Sequence, residues 1–374
     1  MIKSKTKSVD SKKYWIALTL IPNLSPKKFH ILLEHFSSPQ EIWGASCATL
    51  KALPGFGESA ETFCRHRDQA QIETELEAID KLELKTVTLI DPEYPKSLRT
   101  IIDAPPVLYY RGDYIDKDEL AIAIVGTRRA TSYGRSVAAQ LAQELSQLGF
   151  TIVSGLAVGI DTSAHRAALD TEARTIAVIG SGFGNIYPQG NRPLVPQIAK
   201  QGVVMTEFAS NVNPAQWTFS QRNRIISGLS RGVIVIEAPE GSGALLTAED
   251  ALNQGREVFA VPGSIQSEKN KGAHRLIKKC GAKLVDCVDD IIEEFADLQA
   301  ALKGRSQRPA PSERPCLSMN EEKVFAYLEF EPMHFNDLVD KTGLTTSEIA
   351  EALLTLEMKA LVRGIEGKRY VKLP

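Results

Sequence analysis

From Leu120 to Val261, short runs of β-branched and small apolar residues alternate with longer stretches in which apolar positions recur every three or four residues. The runs Ala121–Val125, Thr151–Val153, Thr175–Ile179, Val203–Met205, Gly232–Ile236 and Val258–Val261 are apolar at consecutive positions, as strands buried on both faces must be, and predict a parallel sheet. Amphipathic segments of roughly 10–16 residues between most of them supply the right-handed helical crossovers that parallel neighbours need. The stretch Lys85–Tyr110, broken by Asp91-Pro92 and Pro105-Pro106, reads as a connector into this region.

The pattern changes on either side. Residues 14–70 carry helical periodicity interrupted at Ile21–Ser25 and at Leu53-Pro54-Gly55-Phe56-Gly57. The second break has the form of a helix-hairpin-helix turn, whose exposed N–H groups bind phosphate without reading sequence. With Glu58 and Glu61 beside it, it serves equally as a plain interhelical turn. After Phe295 the periodicity decays into the proline-rich polar stretch Lys303–Pro315. Helical runs at Glu321–Phe330, Phe335–Lys341 and Ser347–Leu361, followed by a hairpin over Val362–Val371, then predict a winged helix. The expected fold is α/β, a Rossmann-like mostly parallel sheet flanked by small helical domains. Its divisions are a disordered terminus at 1–13, a helical module at 14–84, the sheet domain at 85–296, a linker at 297–315 and a winged-helix-like domain at 316–374.

A chain of 374 residues exceeds what one core usually serves, which supports this division. The formal net charge of -2 excludes a global basic field, so any nucleic-acid site must come from local clustering of arginine and lysine. The five cysteines, Cys47, Cys64, Cys280, Cys287 and Cys316, contain no C-x-x-C pair. Their scatter disfavours a zinc ribbon or a dithiol site and fits a reducing cytoplasm. The apolar run Tyr14–Ile21 is too short for a membrane span, and no other stretch reaches the ~18 residues required.

Candidate chemistry gathers just past the predicted strands, where open α/β sheets hold their ligands. Gly126-Thr127-Arg128-Arg129 combines a close-approach glycine with planar guanidinium donors suited to phosphate. Ser154-Gly155 opens a turn into a helix, with Asp161 read as the helix N-cap. His165 has no third ligand or nucleophile beside it, so neither metal nor catalysis is expected there. Gly180-Ser181-Gly182-Phe183-Gly184 begins like a dinucleotide fingerprint. Asn185 replaces its last glycine and Tyr187-Pro188 interrupts the helix start, so NAD is disfavoured.

Asn191 and Arg192 follow as possible phosphate contacts, Asn191 equally as a helix cap. Trp217 and Phe219 precede Arg222-Asn223-Arg224, a pairing of aromatic platforms with cations that suits single-stranded nucleic acid. The alternative is a buried helix with those aromatics in the core. Gly241-Ser242-Gly243 opens a further helix as an anion site, without the lysine of an ATP-binding loop.

Taken in order, these segments resemble the DNA processing protein A family (DprA, also called Smf). The resemblance rests on Gly126–Arg128 with Ser132–Gly134, Ser154–Asp161, Gly180–Pro188 with Asn191, Arg222–Leu229, and Gly241–Thr247 with Arg256–Gly263. It implies an N-terminal module of sterile-alpha-motif or helix-hairpin-helix type, an extended Rossmann-like fold and a winged helix. It also implies binding and protection of incoming single-stranded DNA in natural transformation, loading of the recombinase RecA, and a homodimer, with no cofactor, metal or catalytic residue. Arg128, Arg222 and Arg224 match positions that the family uses for DNA. The DNA-contacting set expected here is Gly126, Thr127, Arg128, Ser154, Gly155, Gly182, Asn191, Arg192, Arg222, Asn223, Arg224, Gly241, Ser242 and Gly243.

In the winged helix, Glu348, Glu351 and Glu357 make the third helix acidic, which favours a protein contact over entry into a duplex groove. The basic residues there are Arg363, Lys368 and Arg369 of the hairpin. The competing function is a nucleotide-acting phosphoribohydrolase of the lysine-decarboxylase-like type, in which a glutamate follows the glycines. Thr247 stands at that place, with Glu249 nearby. A nucleotide sensor controlling the winged helix is the third possibility.

Overall fold

The structure, a computed structural model, describes residues 12–22, 24–296, 317–328, 332–359 and 361–372. The expected linker at 297–315 and residues 1–11 lie outside the described residues. Lys12 and Lys13, assigned to a disordered terminus from sequence, instead begin a helix at 12–19. Lys12 pairs with Asp91 at 3.1 Å, and Lys13 with Glu73 at 2.5 Å.

The central sheet is built from β1 (Lys85–Thr88), β2 (Val107–Gly112), β3 (Ala121–Gly126), β4 (Thr151–Ser154), β5 (Thr175–Val178), β6 (Val203–Thr206), β7 (Gly232–Ile236), β8 (Glu257–Ala260) and β9 (Lys283–Leu284). Its order is β1-β2-β6-β5-β4-β3-β7-β8-β9. Strands β3 to β9 run parallel to one another. All six strands read from the apolar runs are present. The stretch read as a connector is more: β1 pairs antiparallel with β2, and β2 antiparallel with β6, so the two extend one end of the sheet.

Side chains alternate across the sheet with the period of two that strands impose. Ala121, Ala123 and Val125 of β3 join one core, with Ile225 and Ile226 of the helix Gln216–Gly228 and Leu229 at its C-cap. Ile122 and Ile124 join the opposite core, under the helices Ser132–Gln147 and Ile160–Asp170. On that second face, but over the β2-β6 end, sits the helical module. Its Trp15, Phe29, Phe56 and Phe63 share a cluster with Val107, Tyr109, Ala177 and Val204 of the strands. The Tyr109 hydroxyl, wholly buried, lies 2.9 Å from Thr19 Oγ1. The module is therefore welded to the sheet through apolar burial that contributes ~1.5–3 kcal/mol for each large side chain.

Within the module, Cys47 and Cys64 form a disulfide with Cα atoms 6.1 Å apart. This bond runs against the reading that the scattered cysteines fit a reducing cytoplasm, and the pair is created by folding: the helices Cys47–Lys51 and Gly57–Gln69 meet across the Leu53–Gly57 hairpin. Cys316 lies outside the described residues.

The C-terminal domain is a winged helix. Helices Met319–Tyr327, Phe335–Thr342 and Thr346–Met358 precede a sheet of β10 (Met333–His334), β11 (Val362–Ile365) and β12 (Arg369–Lys372), in the order β10-β12-β11. Among the described residues no helix is long and apolar enough to cross a membrane.

Candidate single-stranded nucleic-acid interface

From β3 the chain proceeds to β4, β5 and β6 on one side of the sheet, then returns to β7, β8 and β9 on the other. This reversal puts a topological switch point at the C-terminal ends of β3 and β7, the usual place for a ligand. A carboxylate already occupies part of that place. Glu237, 3% exposed and just beyond β7, accepts hydrogen bonds from the backbone N–H of Thr131, at 2.8 Å, and from the Thr131 hydroxyl. Thr131 is the N-cap of helix Ser132–Gln147, so the donors that would hold a dinucleotide's pyrophosphate at that helix end face an anion of the protein itself.

The remaining loops interlock. Thr127 N–H donates to the Glu237 carbonyl at 2.8 Å, and Gly126 lies so close to Ile236 that a Cβ there would fall 1.9 Å from its carbonyl oxygen. Ser154 is buried and donates to the Ile124 carbonyl at 2.6 Å. Asp161 is not the N-cap expected from sequence. Gly159 holds that position, and the Asp161 carboxylate turns back to accept from Gly155 N at 3.1 Å and Ala157 N at 3.3 Å, tying the glycine turn to the helix. Burial raises the Asp161 pKa against the pull of Arg222. His165 is buried with Nδ1 2.7 Å from Thr175 Oγ1, and burial, with Arg222 second, pushes its pKa down to about 3. It is a neutral core residue.

The Arg222-Asn223-Arg224 segment lies opposite to its expected orientation. All three side chains are buried. Arg222 Nη1 donates to the Val178 carbonyl at 2.6 Å, and the guanidinium rests on Gly155, where a Cβ would come within 1.9 Å of it. Burial lowers its pKa to about 10 while Asp161 opposes the shift. Asn223 donates to the Gly243 carbonyl at 3.1 Å. Arg224 pairs with Glu207 at 2.5 Å and with Asp103 at 3.3 Å. The physical reason is that three successive helical positions point about 100° apart, and each finds a different loop to anchor. Asn191 is anchored likewise, donating to the Leu156 carbonyl at 2.9 Å and to Thr162 Oγ1 at 2.8 Å.

What reaches solvent is aromatic and basic. The Arg128 guanidinium lies 4.9 Å from the centroid of Phe219, and Phe219 lies 5.8 Å from Tyr187, which is 44% exposed. Gly180 makes room for Phe219, whose ring atom would sit 2.6 Å from a Cβ there. Two residues earlier on the same helix, Trp217, 58% exposed, meets Phe208 edge-on at 5.6 Å. Thr218 Oγ1 donates to the Gly180 carbonyl at 2.6 Å, fixing the start of this helix against the loop after β5. Arg192, Gly241 and Gly243 are also exposed and Ser242 is partly so, its Oγ capping the helix Gly243–Asn253. Thr247 is buried and Glu249 exposed on that helix. Sequence reasoning used Tyr187 only as a helix breaker and passed over Phe208. The available signal was position, since each aromatic stands shortly beyond a strand that ends at this edge.

Gly182 packs beneath the platform. It takes an ordinary extended conformation, φ -69°, so alanine would meet no backbone strain, but its Cβ would lie 2.1 Å from the Ala209 carbonyl oxygen. Gly182→Ala should therefore lower stability by about 1–3 kcal/mol through overpacking alone, seen as a reduced urea midpoint with unchanged m-value.

In the winged helix, Glu348 caps its own helix through Thr345, while Glu351 and Glu357 of the expected acidic face are exposed, Glu357 also accepting from the Gly364 N–H. Leu354 and Met358, 61% and 81% exposed, continue that face. Arg363, Lys368 and Arg369 are exposed on the hairpin.

Residues 85–296 match the family described as DNA recombination-mediator protein A, and residues 307–368 match the DprA winged helix domain. The chain is 33% identical to protein Smf of Synechocystis sp. over 96% of this chain and 98% of that one. It is 44% identical to the DNA processing protein DprA of Bacillus subtilis over 57% of this chain and 72% of that one. Among solved structures, DNA processing protein A of Streptococcus pneumoniae superposes with a TM-score of 0.67 at 34% identity, covering 75% of this chain and 97% of the other. DNA processing protein A of Helicobacter pylori, described for its single-stranded DNA binding mode, superposes with a TM-score of 0.51 at 30% identity, over 57% of this chain and 96% of the other.

Proposed function

We propose that this chain, which belongs to the DNA recombination-mediator protein A (DprA/Smf) family, binds single-stranded DNA without sequence preference along the C-terminal edge of its central sheet. The observation that carries the reading is the succession of exposed Arg128, half-buried Phe219 and exposed Tyr187, with the exposed Trp217 two residues before Phe219 on the same helix. Rings with free faces stack bases of any identity, and a guanidinium at one end of the row supplies charge for the phosphates. Arg192 and the N–H groups of Gly241 and Gly243 extend the track as phosphate contacts. In this reading Gly126, Thr127, Ser154, Gly155, Gly182, Asn191, Arg222, Asn223 and Arg224 shape the loops from beneath and touch DNA through backbone groups at most.

The wider assignments follow from the family. The DNA-bound protein acts in the cytoplasm as a homodimer, protects incoming strands, loads RecA onto them, and catalyses no reaction of its own. The helical module at 14–84, the sheet domain at 85–296 and the winged helix at 316–374 are its working units, with 297–315 as the linker. The exposed Glu351, Leu354 and Met358 suit the winged helix to a protein contact better than to a DNA groove.

Fluorescence anisotropy of labelled oligo-dT and of a matched duplex, across a salt series, tests the central claim. Single strands should bind more tightly than duplex, with log affinity falling by about 0.7 per neutralised phosphate for each decade of salt. Equal affinity for both forms, or binding indifferent to salt, would remove the reading.

A further inference from the structure

The helical module reaches the proposed DNA edge through one buried carboxylate. Glu75, on helix Ile72–Lys81, is 5% exposed, and its Oε1 accepts two hydrogen bonds of 2.8 Å, from the backbone N–H and from the hydroxyl of Ser210. Ser210 is 135 residues away in sequence and 4% exposed. A charged acceptor holding two donors away from water is among the stronger hydrogen-bonded contacts a fold can make.

Ser210 lies in the loop after β6, and that loop carries the platform. Its carbonyl accepts from Gly184 N at 2.9 Å, Val212 O accepts from Gly182 N at 2.9 Å, and Asn211 O accepts from the Asn185 side chain at 2.8 Å. The glycine turn after β5 is thus laid along this loop. Two residues before Ser210, Phe208 supplies the ring against which Trp217 stands. The loop is pinned at its start by the Arg224–Glu207 pair and in its middle by Glu75.

We infer that Glu75 is a positioning residue for the single-stranded DNA site: by holding Ser210 it sets the loop on which Phe208, and with it Trp217, is seated. The inference rests on the reading of this edge as the DNA site. It makes the helical module a brace for that edge, whether or not the module touches DNA itself.

The test uses the full chain labelled with 5-fluorotryptophan. Its three tryptophans, Trp15, Trp43 and Trp217, give three fluorine resonances, with Trp217→Phe assigning the third. Glu75→Ala should shift the Trp217 resonance, leave that of Trp15 in place, and weaken binding of labelled oligo-dT about fivefold to tenfold. Glu75→Gln, which keeps an acceptor oxygen, should restore most of both. Adding Ser210→Ala to Glu75→Ala should cost little more, because both act through one contact.

An unmoved Trp217 resonance together with unchanged affinity in Glu75→Ala overturns the inference. If Glu75→Ala disturbs all three resonances, Glu75→Met decides, since it fills the module's space but accepts neither Ser210 bond: a Trp217 shift with Trp15 unmoved upholds the inference, and an unmoved Trp217 defeats it. If the wild-type chain fails to bind oligo-dT, the proposed function falls. The Trp217 resonance then judges the brace by itself.

Discussion

Replacing Arg222 by alanine should cost about 3–5 kcal/mol of folding stability, because it removes the buried cation whose charge offsets that of the buried Asp161 and leaves the carboxylate behind. The Asp161 carboxylate is 5% exposed and is steadied by the Arg222 guanidinium and by two N–H groups of the glycine turn. Without the guanidinium it must bury its charge alone or take up a proton. The Val178 carbonyl loses its 2.6 Å donor as well, and a void opens against Gly155. Arg224→Ala exposes the same logic at Glu207, whose pKa burial already raises against the pull of Arg224. Urea unfolding followed by circular dichroism measures both losses. A stable, folded Arg222→Ala chain that had lost only DNA binding would return this arginine to the interface and contradict the arrangement described here.

The second large effect is expected on binding and not on folding. Phe219→Ala removes the half-buried ring between Arg128 and Tyr187 and should weaken oligo-dT binding by ~1–3 kcal/mol, the range found for single stacking platforms. Arg128→Ala should act differently. Its side chain is exposed and its one aromatic neighbour is Phe219, so stability should hardly change. Affinity should fall mainly at low salt, with the salt slope reduced by about 0.7 if the guanidinium neutralises one phosphate. Anisotropy titrations of both variants across a salt series separate the two roles: the ring substitution shifts affinity at every salt concentration, the arginine substitution flattens the slope. Two variants that bind like wild type would place the DNA elsewhere on the molecule.

The parts of the fold that were legible in sequence are those buried on both faces. Ala121–Val125 and Gly232–Ile236 are apolar at every position because the sheet is covered on both sides there. Strands β1 and β2 left none. Lys85-Thr86-Val87-Thr88 is half polar, and the Pro105-Pro106 pair masks the start of β2, so the antiparallel extension emerges only from pairing at long range. β9 has two residues and is too short for any period.

The candidate site was legible by place and misread by side chain. Every loop singled out does lie past the C-terminal end of a strand. Arginine in a loop-flanking helix reads as a surface charge, since long charged side chains seldom lie buried without a partner. Here Glu207 and Asp103, 17 and 121 positions from Arg224, supply that pairing, and the Asp161 carboxylate offsets the charge of Arg222. Trp217 shows the reverse, a residue type expected in a core and found 58% exposed. Neither fact is encoded locally.

The three neighbours Arg222, Asn223 and Arg224 hold the C-terminal end of β5, the turn at Gly243, and the segments at Asp103 and Glu207 from a single turn of one helix. Such a turn behaves like the keystone of an arch. The loops it braces cannot loosen one at a time at low cost, since an opening that frees one anchor frees the others in the same event, and the edge of the sheet therefore fluctuates as one cooperative unit. A strand of DNA lying across that edge would meet a surface whose separate loops share a single opening free energy, so ordering one of them on binding orders them all.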